Sequence, residues 1–419
     1  METSTPERLK VLLCCYACDP GYGSEPGMGW NFAKNIAKFH DTHIIAEEKY
    51  RLPLTQYAAE HPEETANMTF HFIVRKRWKR LRRLCPPSYY LTYHMWMKKA
   101  YQYALELDKQ EDFDLVHMVT ISGYREPGLF YKLGKPFIWG PIGGLSDSPW
   151  CLLKCLGLKG SLPLATRNIF NGIQKRFGMA CRKAATAAHT IFAKTKDDLK
   201  DIRNLWGKEA ILLNEIGFET QHNKYPRSAH DAQTPLKICW AGVHIPRKAL
   251  EILIHALQQC KENVELHVLS KGPRTPLYKK LAQKLGVADK ITFHGFVSRE
   301  ESFQIMSSSH IFCITSVRED TPTVLYEAFR YALPVIAIDH AGFGAVLDDT
   351  CGFKIPIHSF QQVVADYARH IDYLAAHEDE RVKLAQGALD MCERYTWDAK
   401  MQVINEVYAS AVKDKRNNK

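Results

Sequence analysis

Two glutamates, Glu319 and Glu327, stand eight residues apart in the stretch ITSVREDTPTVLYEAFRYALPVIAID (314–339). Thr321 and Pro322 between them predict a helix start, with the threonine as cap and the proline in the first position. The first exposed amides of that helix belong to Thr323, Val324 and Leu325. Such amides bind anions, so a bound diphosphate would have one acid near a sugar and the other near a ribose. Acids at this spacing also occur on solvated helix faces, and the spacing alone leaves both interpretations open.

A glycine-rich stretch, ACDPGYGSEPGMGWNFA (17–33), follows an apolar run and leads into a predicted helix. Its glycines are Gly21, Gly23, Gly27 and Gly29. Three residues precede the third glycine, where a dinucleotide fingerprint has two, although Glu47 or Glu48 stands where a ribose-binding acid would. Ser24 could cap the helix and Pro26 could occupy its first turn. The stretch is either a ligand loop or a glycine turn before a capped helix.

Strands and helices alternate along both halves of the chain, which is typical of doubly wound parallel sheets. Predicted N-terminal strands lie at 9–17, 42–48, 67–74, 113–120, 135–140, 188–195 and 210–216, with a helix at 28–39. Predicted C-terminal strands lie at 236–242, 264–270, 290–296, 310–316 and 333–339, with helices at 247–260, 276–286, 299–309, 321–332 and 395–412. Polar residues 221–236 suit a linker. The fold class is therefore α/β, with two Rossmann-like domains whose ligands lie in a cleft at the strands' carboxyl ends.

Composition favours a globular protein of a reducing compartment. A length of 419 residues allows two full domains, and a net charge of +10 favours anionic partners. Twelve cysteines without matched CxxC pairs argue against a zinc site and favour buried free thiols. We find no signal peptide and no apolar run of the roughly 18 residues that a spanning helix needs.

The C-terminal motifs resemble those of the family-4 glycosyltransferases, retaining enzymes of the GT-B fold. The family signature, E-x7-E, a small residue and an apolar P-V-I strand, stands here as Glu319 to Glu327, Ala328 and LPVIAIDHAGF. Similarity also covers CWAGVHIPRKALEILIHAL (239–257), LHVLSKGP (266–273), ITFHGFVSREE (291–301) and CGFKIPI (351–357). The N-terminal stretches YACDPGYGSEPGMGW, FDLVH and WGPIGG fit one branch of the family. The resemblance implies an acceptor domain over 1–216, a nucleotide-sugar domain over 217–395 and a final helix over 396–419 that crosses back.

The same resemblance implies roles for individual residues. Glu319 would contact hydroxyls of the donor sugar and Glu327 the nucleotide ribose, while Lys248 and Arg247 would hold the diphosphate. Gly272 and Pro273 would border the phosphates, and Phe296 would lie near the base. Cations and a helix N-terminus stabilise the charge that grows on a leaving diphosphate, so the resemblance implies a reaction without a metal or other cofactor.

Two departures from the family pattern stand out. The family often has Gly-Arg after the first strand of the C-terminal domain, where this chain has Gly242-Val243-His244. One phosphate contact is therefore missing, and His244 is a candidate to replace it in part. The common His-Asp or His-Thr after the fifth N-terminal strand is replaced by residues 140–144, Gly-Pro-Ile-Gly-Gly.

Several N-terminal residues are candidates to face the cleft. We expect Gly23 and Ser24 across the cleft from Thr323, where they would close over the diphosphate or the acceptor. His117 ends a strand and is either a cleft residue or a satisfied core histidine. Asp147 and Arg125 are weaker cleft candidates.

A basic segment, residues 75–104, interleaves Arg75, Lys76, Arg77, Lys79, Arg80, Arg82 and Arg83 with Trp78, Leu81 and Leu84, and Trp96 and Met97 follow. Such a segment is either a solvated basic helix face or a contact with an anionic membrane. RNA binding is less favoured, because no nucleic-acid motif accompanies it.

The sequence thus predicts a retaining, metal-independent glycosyltransferase that acts on a glycan or lipid-linked acceptor in polysaccharide synthesis. We expect it in the cytoplasm, peripheral to the inner face of the membrane, with hinge motion near residues 217–236. Two alternatives stay open: a catalytically degenerate GT-B binding protein, favoured by the missing arginine, and an NAD-dependent oxidoreductase, favoured by the glycine loop.

Overall fold

The chain forms two parallel β-sheets whose strands are connected by helices, as seen in a computed structural model. The structure describes residues 7–76, 85, 88–219, 230 and 233–417. All strand pairs that are recorded between neighbours in the two sheets are parallel. The predicted α/β class is confirmed.

The first sheet has the strand order β3-β2-β1-β4-β5-β6-β7. Its strands are β1 (Lys10–Cys15), β2 (Asp41–Glu47), β3 (Met68–Ile73), β4 (Leu115–Thr120), β5 (Phe137–Ile142), β6 (Ala188–Ala193) and β7 (Ile211–Leu212). The helices between them are α1 (Ser24–Ala37), α2 (Arg51–Glu60), α3 (Pro62–Thr65), α4 (Ser88–Glu111), α5 (Trp150–Leu153), α6 (Gly157–Phe177), α7 (Met179–Ala187) and α8 (Lys196–Trp206). β4 and β5 are buried along their whole length, which explains their continuous apolar runs.

The second sheet has the order β10-β9-β8-β11-β12-β13. Its strands are β8 (Leu236–Ala241), β9 (Val264–Leu269), β10 (Ile291–Gly295), β11 (Ile311–Ile314), β12 (Val335–Ile338) and β13 (Gly352–Ile355). Its helices are α9 (Glu251–Gln259), α10 (Thr275–Lys284), α11 (Arg299–Ser308), α12 (Thr323–Arg330), α13 (Ala341–Val346), α14 (Phe360–Ala376) and α15 (Glu378–Arg394), and α16 (Trp397–Asn417) ends the described chain. Short 3₁₀ turns lie at Glu48–Tyr50, Phe130–Lys132, Lys154–Leu156, Pro246–Lys248 and Ala288–Lys290.

Two predicted elements differ from the structure. The strand predicted at 210–216 pairs only over Ile211–Leu212, because the chain then turns so that the Asn214 side chain donates to the hydroxyl of Tyr326 at 2.6 Å. The helix predicted at 247–260 begins at Glu251, since Ala249 has a φ of 46° and interrupts the helix after the 3₁₀ turn.

The segment between β5 and β6 reaches the second sheet. Leu152, Leu153, Leu156 and Leu164 pack in the core of the second sheet although their neighbours in sequence belong to the first. The carbonyl of Leu156 accepts a hydrogen bond from Arg274 Nη1 at 2.8 Å. This segment, for which the sequence predicts no helix or strand, therefore bridges both sheets, and the domain division at 216 and 395 stays a prediction.

The chain passes between the two sheets twice, at adjacent places. The amide of Phe218 donates to the carbonyl of Tyr395 at 2.8 Å, and that of Trp397 donates to the carbonyl of Phe218 at 2.9 Å. Beyond this point α16 packs on the first core, where the Trp397 and Phe32 ring centroids lie 5.3 Å apart. Trp397 therefore packs where the chain returns to the first sheet.

The basic segment 75–104 lies partly outside the described residues, which exclude 77–84 and 86–87. Arg75 binds the hydroxyl of Tyr16 and that of Thr92. Trp96 and Met97, on α4, are buried in the first core, and the indole of Trp96 donates to the carbonyl of Ile73 at 2.8 Å. These two side chains therefore face the protein, and the membrane prediction for the remaining residues stays untested.

Candidate functional site

Lys248, Arg247 and Glu319 meet at the carboxyl end of the second sheet. The Lys248 ammonium lies 2.6 Å from Glu319 Oε2, and an Arg247 guanidinium nitrogen lies 3.9 Å from Glu319 Oε1. Burial lowers the pKa of Lys248 below its ordinary value, and the Glu319 carboxylate opposes this shift. Two cations thus face one carboxylate, which leaves a net positive charge able to bind an anion.

Hydrogen bonds between loops fix this arrangement. The carbonyl of Lys248 accepts from the Thr315 hydroxyl at 2.8 Å, and the carbonyl of Arg247 accepts from the amide of Val317 at 2.8 Å. At Gly242 an added Cβ would lie 3.3 Å from Lys248 Cδ, so the glycine allows the lysine stem to lie close against the end of β8. The loop after β11 therefore holds the cations beside Glu319.

A pocket of about 280 Å³ adjoins these cations. Its lining includes Gly242, Ser270, Phe296, Arg299 and Glu327. The Phe296 ring is 78% exposed, so one face of it is open for stacking. Burial raises the pKa of Glu327, and Arg299 and Arg330 oppose the shift. An exposed ring and a carboxylate in one small pocket suit a base and a ribose.

The N-terminus of α12 lies between the two glutamates in sequence. The helix begins at Thr323 with Pro322 at the cap position, so the predicted cap at Thr321 is wrong. The chain bends at Pro322, one residue later than expected, and among the described residues the buried Thr321 hydroxyl has no hydrogen-bond partner. The amide of Leu325 already donates to the carbonyl of Pro322 at 3.0 Å. The first-turn amides of Thr323 and Val324 remain the candidates for an anion.

Comparison with known families covers this half of the chain. Residues 222–391 match the family described as "Glycosyl transferases group 1". These residues, less than half of the chain, are similar to that family. The match includes Lys248, Arg247, Glu319 and Glu327, whereas the first sheet lies outside it.

Relatives and solved structures extend the comparison. The chain is 31% identical over 255 residues to a D-inositol 3-phosphate glycosyltransferase of Streptomyces bingchenggensis, covering 55% of this chain and 54% of the relative. The chain thus spans about half the length of the curated relatives it matches. The structure of Anabaena HepE in complex with UDP superposes with a TM-score of 0.62 at 17% identity, covering 96% of this chain and 100% of HepE. The lipopolysaccharide outer core galactosyltransferase WaaB, in its apo form, gives a TM-score of 0.62 at 14% identity over 97% of this chain and 100% of WaaB. The GT-B fold is confirmed.

The departure from the family pattern after β8 puts a buried histidine near the place of the missing arginine. His244 is fully buried, and its Nδ1 lies 2.7 Å from the Thr275 hydroxyl. Burial lowers the pKa of His244 below its ordinary value. The structure therefore does not favour His244 as a cation in place of the missing arginine.

Gly272 and Pro273 lie beside His244. An added Cβ at Gly272 would lie 2.7 Å from the His244 carbonyl oxygen, so the loop after β9 needs a glycine there. The amide of Gly272 donates to the Thr275 hydroxyl at 3.0 Å. This amide is therefore engaged within the protein, and the predicted phosphate contact of Gly272 and Pro273 stays a prediction.

His117 is a structural residue. It is fully buried, its Nδ1 lies 2.7 Å from the Tyr408 hydroxyl, and its Nε2 lies 2.8 Å from the carbonyl of Gly140. Burial lowers its pKa to about 4. The prediction that His117 faces the cleft is wrong, because the imidazole joins β4, β5 and α16 inside the first core.

Close packing accounts for two of the N-terminal glycines. An added Cβ at Gly29 would lie 2.0 Å from the carbonyl oxygen of Ala17, and one at Gly27 would lie 2.3 Å from that of Tyr22. The predicted cap at Ser24 is wrong, because Ser24 has a φ of 56° and begins α1, while Gly23 holds the cap position without a side-chain bond. Pro26 lies in the first turn, as predicted. The placement of Gly23 and Ser24 across the cleft from Thr323 stays a prediction.

The acids that favoured an oxidoreductase are engaged elsewhere. Glu47 is buried, with its carboxylate 3.7 Å from the Lys49 ammonium. Glu48 receives hydrogen bonds from the Arg51 guanidinium at 2.7 and 2.9 Å. These contacts, and the packing role of Gly27 and Gly29, weaken the dinucleotide interpretation.

Sequence reasoning missed a group of buried charges where the two sheets meet. The Lys194 ammonium lies 2.5 Å from Glu215 Oε2 and donates to the Ser122 hydroxyl at 3.0 Å. Asp320 reaches across from the second domain, since an added Cβ at Gly143 would lie 3.1 Å from Asp320 Oδ2. The position of Lys194, directly after β6, was the available signal, because ligands gather at strand ends.

A group of arginines lies near Arg125, and of these the sequence analysis predicted only Arg125 as a cleft residue. Arg125 and Arg167 line a pocket of about 480 Å³ together with one acid, Glu126, and with Tyr90, Phe170 and Gln174. Burial lowers the pKa of Arg167 to about 10, and the nearby guanidiniums of Arg318 and Arg125 add to the shift. Asp147, the other weak candidate, lies 3.3 Å from the Lys175 ammonium and 3.9 Å from Arg167. The pocket is therefore cationic on balance and suits an anionic group.

Proposed function

We propose that this chain is a retaining glycosyltransferase that transfers a sugar from a nucleoside diphosphate sugar to a glycan or lipid-linked acceptor. One observation carries the proposal. Lys248, Arg247 and Glu319 converge beside the pocket that contains Glu327 and Phe296. This arrangement supplies cations for a diphosphate, a carboxylate for the sugar and a pocket for the nucleoside.

The geometry supports a role for each residue in the reaction. A donor diphosphate would bind Lys248 and Arg247 and so release Glu319 to accept hydrogen bonds from hydroxyls of the donor sugar. The bond between the anomeric carbon and the phosphate oxygen breaks, and the anomeric carbon forms a bond to the acceptor oxygen on the same face. The acceptor proton passes to the leaving phosphate oxygen. The two cations and the amides of α12 stabilise the charge that grows on the diphosphate.

Uridine is the nucleoside that we infer first. HepE, which shares the fold, was solved in complex with UDP. Metal independence and a cytoplasmic, membrane-peripheral location stay predictions for this chain.

The acceptor that we infer carries a phosphate or another anionic group. Arg125 and Arg167 line the larger pocket, and Arg318 lies directly before Glu319 in sequence. The Streptomyces relative is named for an inositol phosphate acceptor and WaaB for lipopolysaccharide. Both names agree with an anionic acceptor in glycoconjugate synthesis.

Thermal-shift and calorimetric titrations with UDP, GDP, ADP and NAD test the donor. Selective binding of one nucleoside diphosphate, lost in Glu327→Gln and in Lys248→Met and retained in the exposed control Glu262→Gln, would support the proposal. Binding of NAD alone would favour the oxidoreductase. A degenerate binding protein, which the neutral His244 favours, would bind the diphosphate yet neither hydrolyse nor transfer from UDP-glucose, UDP-galactose or GDP-mannose.

A further inference from the structure

The helix α6 has its polar side against the protein. Asn168 accepts from the amide of Ser148 at 3.0 Å and donates to the carbonyl of Ser148 at 2.8 Å. Asn171 donates to the carbonyl of Leu145 at 2.9 Å. Both asparagines are buried, so the inward face of α6 is held by hydrogen bonds to the loop after β5.

The outward face of α6 is apolar. The exposed side chains are Leu158, Leu162, Ile169, Phe170, Ile173 and Phe177. Each of the six is between 50% and 89% exposed. At 100° per residue they fall within a sector of about 120°, along a helix about 30 Å long. The same sector contains the exposed Thr166 and, near the two ends of the helix, Lys159 and Arg176. We call these six side chains the α6 stripe. Soluble monomers rarely expose six large apolar side chains on one face of a helix, so the stripe indicates a binding surface.

The charge around the stripe has one sign. Residues 148–196 contain nine lysines and arginines and no aspartate or glutamate, in a chain with 46 acids overall. Lys154, Lys159, Arg176, Arg182 and Lys183 of this stretch are exposed. An apolar stripe with exposed cations at and beyond its two ends suits a helix that lies in the plane of an anionic lipid surface, because long basic side chains reach the headgroups.

We propose that the α6 stripe inserts into the interface of an anionic membrane. A second copy of the chain fits the surface less well, because a two-fold contact through the stripe would bring the flanking cations of both copies together. Among the described residues no helix has the length and apolar character to cross a membrane.

The surface leads to the arginine pocket. Phe170 belongs to the stripe and also lines that pocket, next to Arg125 and Arg167. At the other end of α6, an added Cβ at Gly160 would lie 3.1 Å from Pro246 Cβ, next to the turn that holds Lys248. If the proposed function holds, a docked α6 presents the headgroup of an anionic lipid-linked acceptor to the arginines; this last step rests on that function, whereas the docking itself does not.

Vesicle flotation with the full chain tests the docking. The vesicles contain phosphatidylcholine alone or with a quarter of phosphatidylglycerol. We expect binding to the anionic vesicles, and a drop of about tenfold or more in the variant with Leu162, Ile169, Ile173 and Phe177 each changed to Ser. The variant with Lys159, Arg176, Arg182 and Lys183 each changed to Gln should lose a similar factor on anionic vesicles only. Leu277→Ser with Val382→Ser, on exposed apolar residues of α10 and α15, is the matched control and should bind as wild type.

Three outcomes would overturn the proposal. These are absence of binding to both vesicle types, unchanged binding by the four-serine variant, and a dimer in sedimentation that this variant abolishes. Far-UV circular dichroism and UDP titration of the same variants show whether they fold. A variant that binds UDP as wild type does and no longer floats supports docking. If wild type does not bind UDP, the proposed function is overturned, whereas the flotation result still tests the docking.

Discussion

The Glu319 carboxylate lies against both cations, Lys248 and Arg247, in the ligand-free protein. This contact leads to a testable prediction for Glu319→Gln. The carboxylate lies 2.6 Å from the Lys248 ammonium, so a diphosphate must displace it before it can bind there. Once displaced, the carboxylate stays next to the phosphates as a like charge. Removing that charge should therefore strengthen UDP binding, although the residue is one of the two acids of the site.

The size of the effect follows from the distance. A phosphate held at the lysine would lie about 5 Å from the carboxylate, which gives about 3 kcal/mol of repulsion at an effective dielectric constant of about 20 and about 1 kcal/mol in water. Between these limits, Glu319→Gln should lower the Kd of UDP by roughly fivefold to 150-fold. Sugar transfer should fall by roughly tenfold to 100-fold, because the glutamine lacks the charge that strengthens hydrogen bonds to sugar hydroxyls.

Calorimetric titration of UDP into wild type, Glu319→Gln and Glu262→Gln measures the first effect, and turnover of the donor measures the second. Loss of Glu319 also leaves Lys248 buried without its carboxylate, which lowers the lysine pKa further. When the pKa of a lysine is lower in the folded protein than in the unfolded chain, the free energy of unfolding decreases as the pH falls from about 10. The variant should therefore melt below wild type at pH 7, and the gap should narrow toward pH 10. Weaker UDP binding by Glu319→Gln would refute the reasoning.

Three further predictions concern packing and pH. Gly29→Ala should lower the free energy of unfolding by about 3 kcal/mol or more, since its Cβ would lie 2.0 Å from the carbonyl oxygen of Ala17, whereas Gly23→Ala, with open space around it, should stay within about 0.5 kcal/mol in urea titration; equal losses would contradict this. The pKa of His117 is lowered to about 4, so the free energy of unfolding should decrease as the pH falls from about 6.5 toward 4, because the unfolded chain binds a proton there first. His117→Gln should reduce this pH dependence in melts across the same range, and an unchanged pH dependence would contradict the assignment. Burial and nearby Asp320 raise the pKa of Asp198 to about 8. The free energy of unfolding should therefore fall as the pH rises from about 4 to about 8, by up to about 1.4 kcal/mol per pH unit. Asp198→Asn should remove that loss, and a melt series in which both proteins lose stability equally would exclude it.

Much of the fold could be predicted from sequence because buried parallel strands are nearly continuous apolar runs. The core strands of both sheets lie where the runs stand, from Val11 in β1 to Ile338 in β12. Helix α6 could not be predicted in the same way, because most of its large apolar residues face outward and its buried face carries two asparagines beside Leu164. The strand at 210–216 was predicted too long, since Asn214 turns toward the other domain.

The site was predicted in part, and for a different reason. Lys248 and Glu319 are 71 positions apart, and the family resemblance, rather than spacing, placed them together. The strand that carries His117 was predicted, whereas its burial depends on α16, which returns from the far end of the chain. Arg167 and Arg318 lie in segments that showed no periodicity, so their approach to Arg125 required the three-dimensional structure.

We expect the adjacent crossings at Phe218 and Trp397 to set the direction of any rotation between the two sheets. A body attached along one line can rotate about that line without lengthening either connection. Contacts remote from the line must then break first, among them the hydrogen bond from the amide of Ala341 to Asp197 at 3.3 Å. We therefore expect the cleft to open by rotation about this line once the packing of the α5–α6 segment on the second core is also released, with the last helix lying on the axis.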